Sequence, residues 1–261
     1  MKINFDKYQG TGNDFIILDN RSNLFPKENA KMIQYFCDRK FGVGADGLML
    51  LENSSISDFK MVYFNADGNV GSMCGNGGRC IVKYASFLKL FKNKTTFEAM
   101  GKIYKATINN DLVSLHMNDL KIDAIEDHKG HLFLNTGSPH HVSFEKDVSS
   151  IDIYKKGKEI RYGKPYFEEG TNVNFVEKIN ENTFKVRTYE RGVENETLSC
   201  GTGVTAVAIA SHLSKRSKNN VINLNTLGGN LEVSFLIENN TYKNIILKGP
   251  ATFVFKGEIE L

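Results

Sequence analysis

Residues 63–80 read YFNADGNVGSMCGNGGRC and residues 187–208 read RTYERGVENETLSCGTGVTAVA. Each begins as a β-branched and aromatic strand, passes through a turn rich in Gly, Asn or Glu, and reaches Cys-Gly-x-Gly at the start of a helical pattern. Cys74-Gly75-Asn76-Gly77 thus recurs as Cys200-Gly201-Thr202-Gly203, and Thr11-Gly12-Asn13 recurs as Thr136-Gly137-Ser138, at offsets of 126 and 125 residues. Two matches about half a chain apart, in one structural context, indicate two related halves. Halves packed about a pseudo-twofold axis would bring the two helix starts to face each other across a cleft.

The chemistry of such a pair follows from the helix terminus. A cysteine there sits against backbone N–H groups with no partner inside the helix and against the positive end of the dipole, which lowers a thiol pKa from about 8.5. The following glycines let a ligand approach the backbone, and the N–H groups suit a carboxylate. An amino acid held between two such sites would lose its α-proton to a thiolate on one face and gain another from a thiol on the opposite face. The developing negative charge would be stabilised by both helix starts.

The rest of the chain reads mainly as strands, among them 3–9, 14–20, 47–52, 59–65, 102–108, 131–137, 171–179, 184–190, 231–238, 242–248 and 251–261. Helical patterns cover about 29–39, 76–91, 149–160 and 203–215, which makes the chain α+β. With 261 residues, one large domain or two of about half that length are both expected. A composition 41% hydrophobic and 24% charged is that of a folded globular protein. A net charge of +3, mixed along the chain, gives no strong argument for nucleic acid or an anionic membrane as partner, and neither is expected. The first residues lack the apolar stretch of a signal peptide, and no segment approaches a membrane span of roughly 20 apolar residues, so a cytoplasmic location is expected.

Four cysteines, Cys37, Cys74, Cys80 and Cys200, do not look like a disulfide framework. Cys37 and Cys80 read as buried packing residues. Zinc is disfavoured, because Cys74-x5-Cys80 lacks the usual ligand spacing and no second pair exists, so no metal is expected. A phosphate loop is disfavoured because neither the P-loop Gly-Lys-Ser/Thr nor the dinucleotide GxGxxG is present. Read alone, His140-His141 fits a structural or surface feature, and Glu190-Arg191 an exposed charge pair.

The ordered set KYQGTGNDFIILD, FGVGADGLMLL, YFNADGNVGSMCGNGGRC, GSPHHVSF, GTNVNF, RTYERGVENETLSCGTGVTAVA and LKGPATFVFKGEI resembles the diaminopimelate epimerase family nearly end to end. The resemblance implies two pseudo-symmetric domains, each a central helix wrapped by a β-barrel-like sheet: 1–118 carrying Cys74 and joined by a returning strand at 251–261, and 119–250 carrying Cys200. It implies a homodimeric isomerase of lysine and peptidoglycan precursor biosynthesis that interconverts LL- and meso-2,6-diaminopimelate without pyridoxal phosphate or any other cofactor. A racemase or epimerase of the same fold acting on proline or hydroxyproline is the alternative. Cys74 and Cys200 align with the catalytic thiols, and His140 and Glu190 with further catalytic positions. Asn13, Asn65, Asn172, Glu190 and Arg191 align with substrate-binding residues, and Gly75-Asn76 and Gly201-Thr202 with the carboxylate cradle. Two departures stand out. Ser138 replaces an amide by a shorter hydroxyl at a substrate-contact position, with contact through a bridging water or none expected, and Gly47 stands where some members carry a glutamine, which removes it from the expected site.

Overall fold

The computed structural model describes residues 2–71, 73–128 and 130–260, so Leu261, at the end of the last expected strand, lies outside them. The chain divides into two compact units, Met1–Leu115 with Gly249–Leu261, and His116–Lys248.

In the first unit the order is β1 (Lys2–Gly10), β2 (Asn13–Asp19), α1 (Ala30–Cys37), β3 (Gly47–Glu52), β4 (Phe59–Asn65), α2 (Gly75–Phe87), β5 (Lys94–Ala99), β6 (Lys102–Asn109) and β7 (Leu112–His116). The second begins with short β8 (Leu120–Lys121) and β9 (Glu126–Asp127), followed by β10 (His131–Asn135), β11 (Pro139–Glu145), α3 (Ile153–Tyr162), β12 (Asn172–Lys178) and β13 (Thr183–Glu190). It continues with β14 (Asn195–Thr197), α4 (Gly201–Leu213), β15 (Val221–Thr226), β16 (Gly229–Glu238) and β17 (Thr241–Pro250). The last strand, β18 (Thr252–Glu260), returns to the first unit and pairs antiparallel with β1 from Lys2↔Glu260 to Gln9↔Thr252.

The two units repeat one topology. Strands β1 to β7 pair in succession as antiparallel, parallel, antiparallel, parallel, antiparallel and antiparallel. Strands β10, β11, β12, β13, β15, β16 and β17 pair in the same sequence. Helices α1 and α3 occupy the first parallel crossover, and α2 and α4 the second. Even the helix ends agree: Lys89 and Lys215, each 15 residues after its cysteine, lie at φ 59° and 57°, the left-handed conformation that stops a helix.

Residue patterns explain the layering. Strand β3 (GLMLLE) is buried throughout, as expected when helices cover both faces of a strand. Leu48 and Leu50 pack with Ile33 and Phe36 of α1, while a Cβ on Gly77 of α2 would touch Met49 and Phe15 on the opposite face. In α4 the run from Gly203 to Ser211 is buried on every side, which makes it a core helix rather than an amphipathic one. Each buried Val or Ile contributes about 1.5–3 kcal/mol, which outweighs the roughly 1 kcal/mol that each first-turn glycine costs.

Several boundaries differ from the sequence reading. The helix expected over 149–160 begins at Ile153, because Asp152 caps it by accepting from the Lys155 N–H (3.0 Å). Helices α2 and α4 begin immediately after their cysteines and stop short of the expected 91 and 215. Strands β5 and β15 were not among the expected strands. Both are six-residue strands bearing lysine, threonine or asparagine on one face, too polar to stand out by composition.

Candidate active site

Cys74 and Cys200 occupy the same place in the two units, the N-cap of the second crossover helix. Each has extended backbone (φ −105°, ψ 128° and φ −121°, ψ 114°) and neither side chain caps its helix, so the thiols turn away from the turn they begin. The helix bonds start with Gly78 N to Cys74 O (2.7 Å) and Val204 N to Cys200 O (3.0 Å). The earlier N–H groups of both first turns therefore have no partner within the helix, the arrangement that binds anions. Cys74 is half-buried and Cys200 is 8% exposed.

In the first unit the thiol joins a short polar network. The β1–β2 hairpin turns through Thr11 (φ 51°) and Gly12 (φ 87°), a two-residue turn with both φ positive. That turn presents Asn13, whose Oδ1 accepts from Cys74 Sγ (3.6 Å) and Asn76 Nδ2 (3.4 Å). Asn13 Nδ2 donates to Asp46 Oδ2 (2.7 Å), which fixes the amide. Asp14 beside it pairs with Lys7 (2.7 Å) and Arg39 (2.7 Å). Burial would raise the Asp14 carboxyl, but the bonds from Arg39 and Lys7 outweigh it and hold the group at about 2. Asn65, at the exposed end of β4, is the ladder partner of Gly47. A Cβ on Gly47 would meet the Tyr63 ring at 2.5 Å, so the ring fills the space a larger side chain would need.

In the second unit one continuous network gathers most of the expected residues. Asn172 Oδ1 accepts from the Arg191 N–H (2.9 Å), and its Nδ2 donates to Pro139 O (2.9 Å) and Ser138 Oγ (3.1 Å). Ser138 Oγ lies 3.1 Å from His140 Nε2 and 3.2 Å from Thr202 Oγ1. Thr202 Oγ1 contacts His140 Nε2 at 2.9 Å and Cys200 Sγ at 3.5 Å. His140 is 0% exposed; burial, then the nearby Arg191 charge, pushes it down to about 3, so it is a neutral imidazole at pH 7. Asn174 Nδ2 donates to His141 O (2.9 Å) and faces His140 Nδ1 (3.2 Å), which assigns the proton to Nε2. His140 then donates toward Thr202 and Ser138, leaving the Thr202 hydroxyl hydrogen available to the Cys200 sulfur.

Glu190 ends β13 and Arg191 follows it. Glu190 Oε2 accepts from Thr197 Oγ1 (2.8 Å), and the Arg191 guanidinium is exposed, with Nη1 on Glu169 O (2.8 Å). A cavity of about 1040 Å³ opens beside it, lined by Pro139, Tyr166, Glu169 and Arg191 but not by Cys200 or His140. Its size therefore says less about the chemistry than the thiol network does.

Three participants were missed in the sequence reading: Arg79, which bonds Asn76 (3.0 Å), and Asn174 and Thr136, which position His140 and the α4 start (Thr136 Oγ1 to Thr202 O, 2.8 Å). Asn172 and Asn174 stand two apart, interleaved with Val173 and Phe175, a signal that both face one polar site. Cys37 and Cys80 lie apart from this chemistry, since burial pushes both thiols up to about 12. No group of three or more potential metal ligands occurs among the described residues.

An α+β fold of this kind is shared by several solved structures. A phenazine biosynthesis protein of the PhzF family from Bacillus anthracis matches with a TM-score of 0.77 at 14% identity, covering 100% of both chains. A hydroxyproline epimerase from Agrobacterium vitis, solved with bound trans-4-hydroxy-L-proline, matches with a TM-score of 0.68 at 13% identity over 99% of this chain and 92% of that one. At such identities the likeness defines the fold alone. The particular family comes from sequence: the diaminopimelate epimerase family model matches residues 5–120 and 132–254, and the chain belongs to that family of isomerases. A diaminopimelate epimerase of Flavobacterium psychrophilum is 55% identical over 97% of this chain and 98% of its own length. One from Aquifex aeolicus is 40% identical over 98% of each.

Proposed function

We propose that this chain interconverts LL- and meso-2,6-diaminopimelate without a cofactor, using Cys74 and Cys200 as the two acid–base groups at one α-carbon. The observation that carries this reading is the repeated placement of an uncapping cysteine at the N-cap of the second crossover helix in both units. One thiolate removes the α-proton and the other thiol delivers a proton to the opposite face, while the first-turn N–H groups of α2 and α4 hold the α-carboxylate as charge spreads onto it. Asn13, Asn65, Asn172, Glu190 and Arg191 recognise the distal ammonium and carboxylate, where a guanidinium is suited to the carboxylate and Glu190 to the ammonium. Ser138 acts through His140 and Thr202 as part of the Cys200 network. His140, neutral, serves as a hydrogen-bond donor to Thr202 and not as an imidazolium partner of the thiolate. The family membership supports a homodimer in the cytoplasm, on the route to lysine and peptidoglycan precursors.

The test is deuterium incorporation at Cα of LL-diaminopimelate in D2O, with no cofactor added. Exchange and appearance of the meso isomer are expected. Exchange with L-proline or hydroxyproline and none with diaminopimelate would sink the assignment.

A further inference from the structure

Arg79 is a charge that makes no ion pair among the described residues. Its side chain is 0% exposed, in the second turn of α2. Nε donates to Pro250 O (3.2 Å), Nη1 to Gly75 O (3.2 Å), and Nη2 to Asn76 Oδ1 (3.0 Å) and Thr11 Oγ1 (3.2 Å). All four acceptors are neutral, and among the described residues no carboxylate pairs with the guanidinium. Burying an uncompensated charge is costly, and burial accordingly pushes the Arg79 pKa down, although arginine keeps its proton in proteins.

The groups whose ionisation would offset that cost are the sulfurs of Cys80 and Cys74, both within electrostatic reach. Cys80 stays a neutral thiol, pushed up to about 12 by burial. Cys74 stands at the start of the same helix, and Arg79 grips the two residues after it, Gly75 and Asn76. The charged group on the other side is Asp46, reached through Asn13, and its carboxylate is already paired with Arg39 (2.8 Å). Asp14 is likewise taken up by Lys7 and Arg39. Among the described residues, the guanidinium is thus a charge beside the Cys74 helix start that no carboxylate neutralises.

We propose that Arg79 is a positioning residue for the reaction, its uncompensated charge favouring the ionised form of Cys74 while its fork locks Asn76 and the Thr11 turn that presents Asn13. This rests on the reading of Cys74 as an acid–base thiol. A purely structural role is the competing account: Arg79 also clips the α2 start to Thr11 and to Pro250 ahead of β18.

Two variants separate the accounts. R79Q keeps hydrogen-bond donors and loses the charge, and R79K keeps the charge and loses the fork. Iodoacetamide alkylation followed peptide by peptide across pH, in the full-length protein, reads Cys74 with Cys200 as the internal control. In R79Q the pH at which Cys74 becomes reactive should rise by about one unit, with Cys200 unchanged and kcat for diaminopimelate reduced about tenfold more than KM is altered. In R79K the Cys74 profile should stay at the wild-type position. Equal behaviour of the two variants, or a joint shift of both cysteines, would overturn the proposal in favour of a structural clip. If R79Q does not fold, R79K against wild type decides: an upward-displaced Cys74 profile with the charge retained counts against it, and an unmoved profile supports it. Wild-type protein that lacks diaminopimelate turnover would defeat the assigned reaction instead, an outcome the alkylation profiles cannot produce.

Discussion

At the scale of single residues, the four cysteines divide by environment. Cys37 and Cys80 have thiols pushed up to about 12 by burial, so at pH 8 they are almost wholly protonated. Brief alkylation at that pH should label Cys74 and Cys200 first, which peptide mass spectrometry would resolve; equal labelling of Cys80 would contradict the environment described for it. Replacing Cys74 or Cys200 with Ala should lower epimerisation by at least about a thousandfold, because each removes one of two required proton-transfer groups. Cys37→Ala should retain turnover within about twofold, and full activity in Cys200→Ala would refute the paired-thiol mechanism. Thr202→Val tests the hydroxyl between His140 and Cys200. A loss of about ten- to a hundredfold in kcat is expected, the scale of a positioned donor or acceptor at a reacting group, and unaltered kcat would mean that the 3.5 Å contact to sulfur is incidental.

At the scale of elements, the helix starts leave little room. A Cβ on Gly203 would lie 2.6 Å from Asn174 Oδ1, 3.2 Å from Cys200 Cβ and 3.3 Å from His140 Cε1. Gly203→Ala should therefore destabilise by about 1–3 kcal/mol and reduce turnover, as overpacking does in a close-fitted core; denaturant titration beside kinetics would measure both. The helix ends behave oppositely. Lys89 and Lys215 hold left-handed φ values that cost a non-glycine residue about 1–2 kcal/mol. Lys89→Gly and Lys215→Gly should each stabilise by a few tenths to about 1 kcal/mol once the added chain entropy of glycine is subtracted, and a fall in the denaturation midpoint would contradict this. The sequence made such elements legible unevenly. Cys-Gly-x-Gly followed by an apolar run marks α4 plainly, whereas the starts of α2 and α4 were placed one or two residues late because the glycines that make the anion site also weaken the helical signal. Strands β5 and β15 escaped notice because their polar faces dilute the alternation. Arg79 was passed over for a different reason: its meaning lies in having no acidic partner, which only the three-dimensional surroundings disclose.

At the scale of the whole molecule, the duplicated topology was legible from two short recurrences, since a repeated motif in a repeated context constrains everything between its copies. Acid stability is also a property of the whole chain. His140 and His141 are both pushed down to about 3, chiefly by burial, whereas an unfolded histidine titrates near 6.5. Between those values the unfolded chain binds more protons than the folded one, so stability falls as pH drops below about 6.5 and goes on falling toward about 3. Asp14 adds a second, lower window: with its folded value at about 2 and an unfolded value near 3.9, its contribution is complete above about 4 and is lost as pH falls through about 2. Thermal melts from pH 7.5 to 5 should show a steady decline in Tm. His141→Gln, which removes one buried imidazole outside the thiol network, should make that decline shallower, and an unchanged slope would show that His141 is not responsible.

The pairing of β1 with β18, Lys2 opposite Glu260, has a temporal consequence. During translation β1 leaves the ribosome well over two hundred residues ahead of its neighbour, which at 5–20 residues per second is a delay on the order of ten to fifty seconds. The second unit waits over a shorter span, its most distant ladder contact being β8 with β17, Leu120 opposite Tyr242. The half that begins the polypeptide is therefore the half that finishes last, and until β18 arrives one edge of β1 presents its backbone N–H and C=O groups to any other nascent strand. Chaperone demand during synthesis should accordingly concentrate on the amino-terminal half.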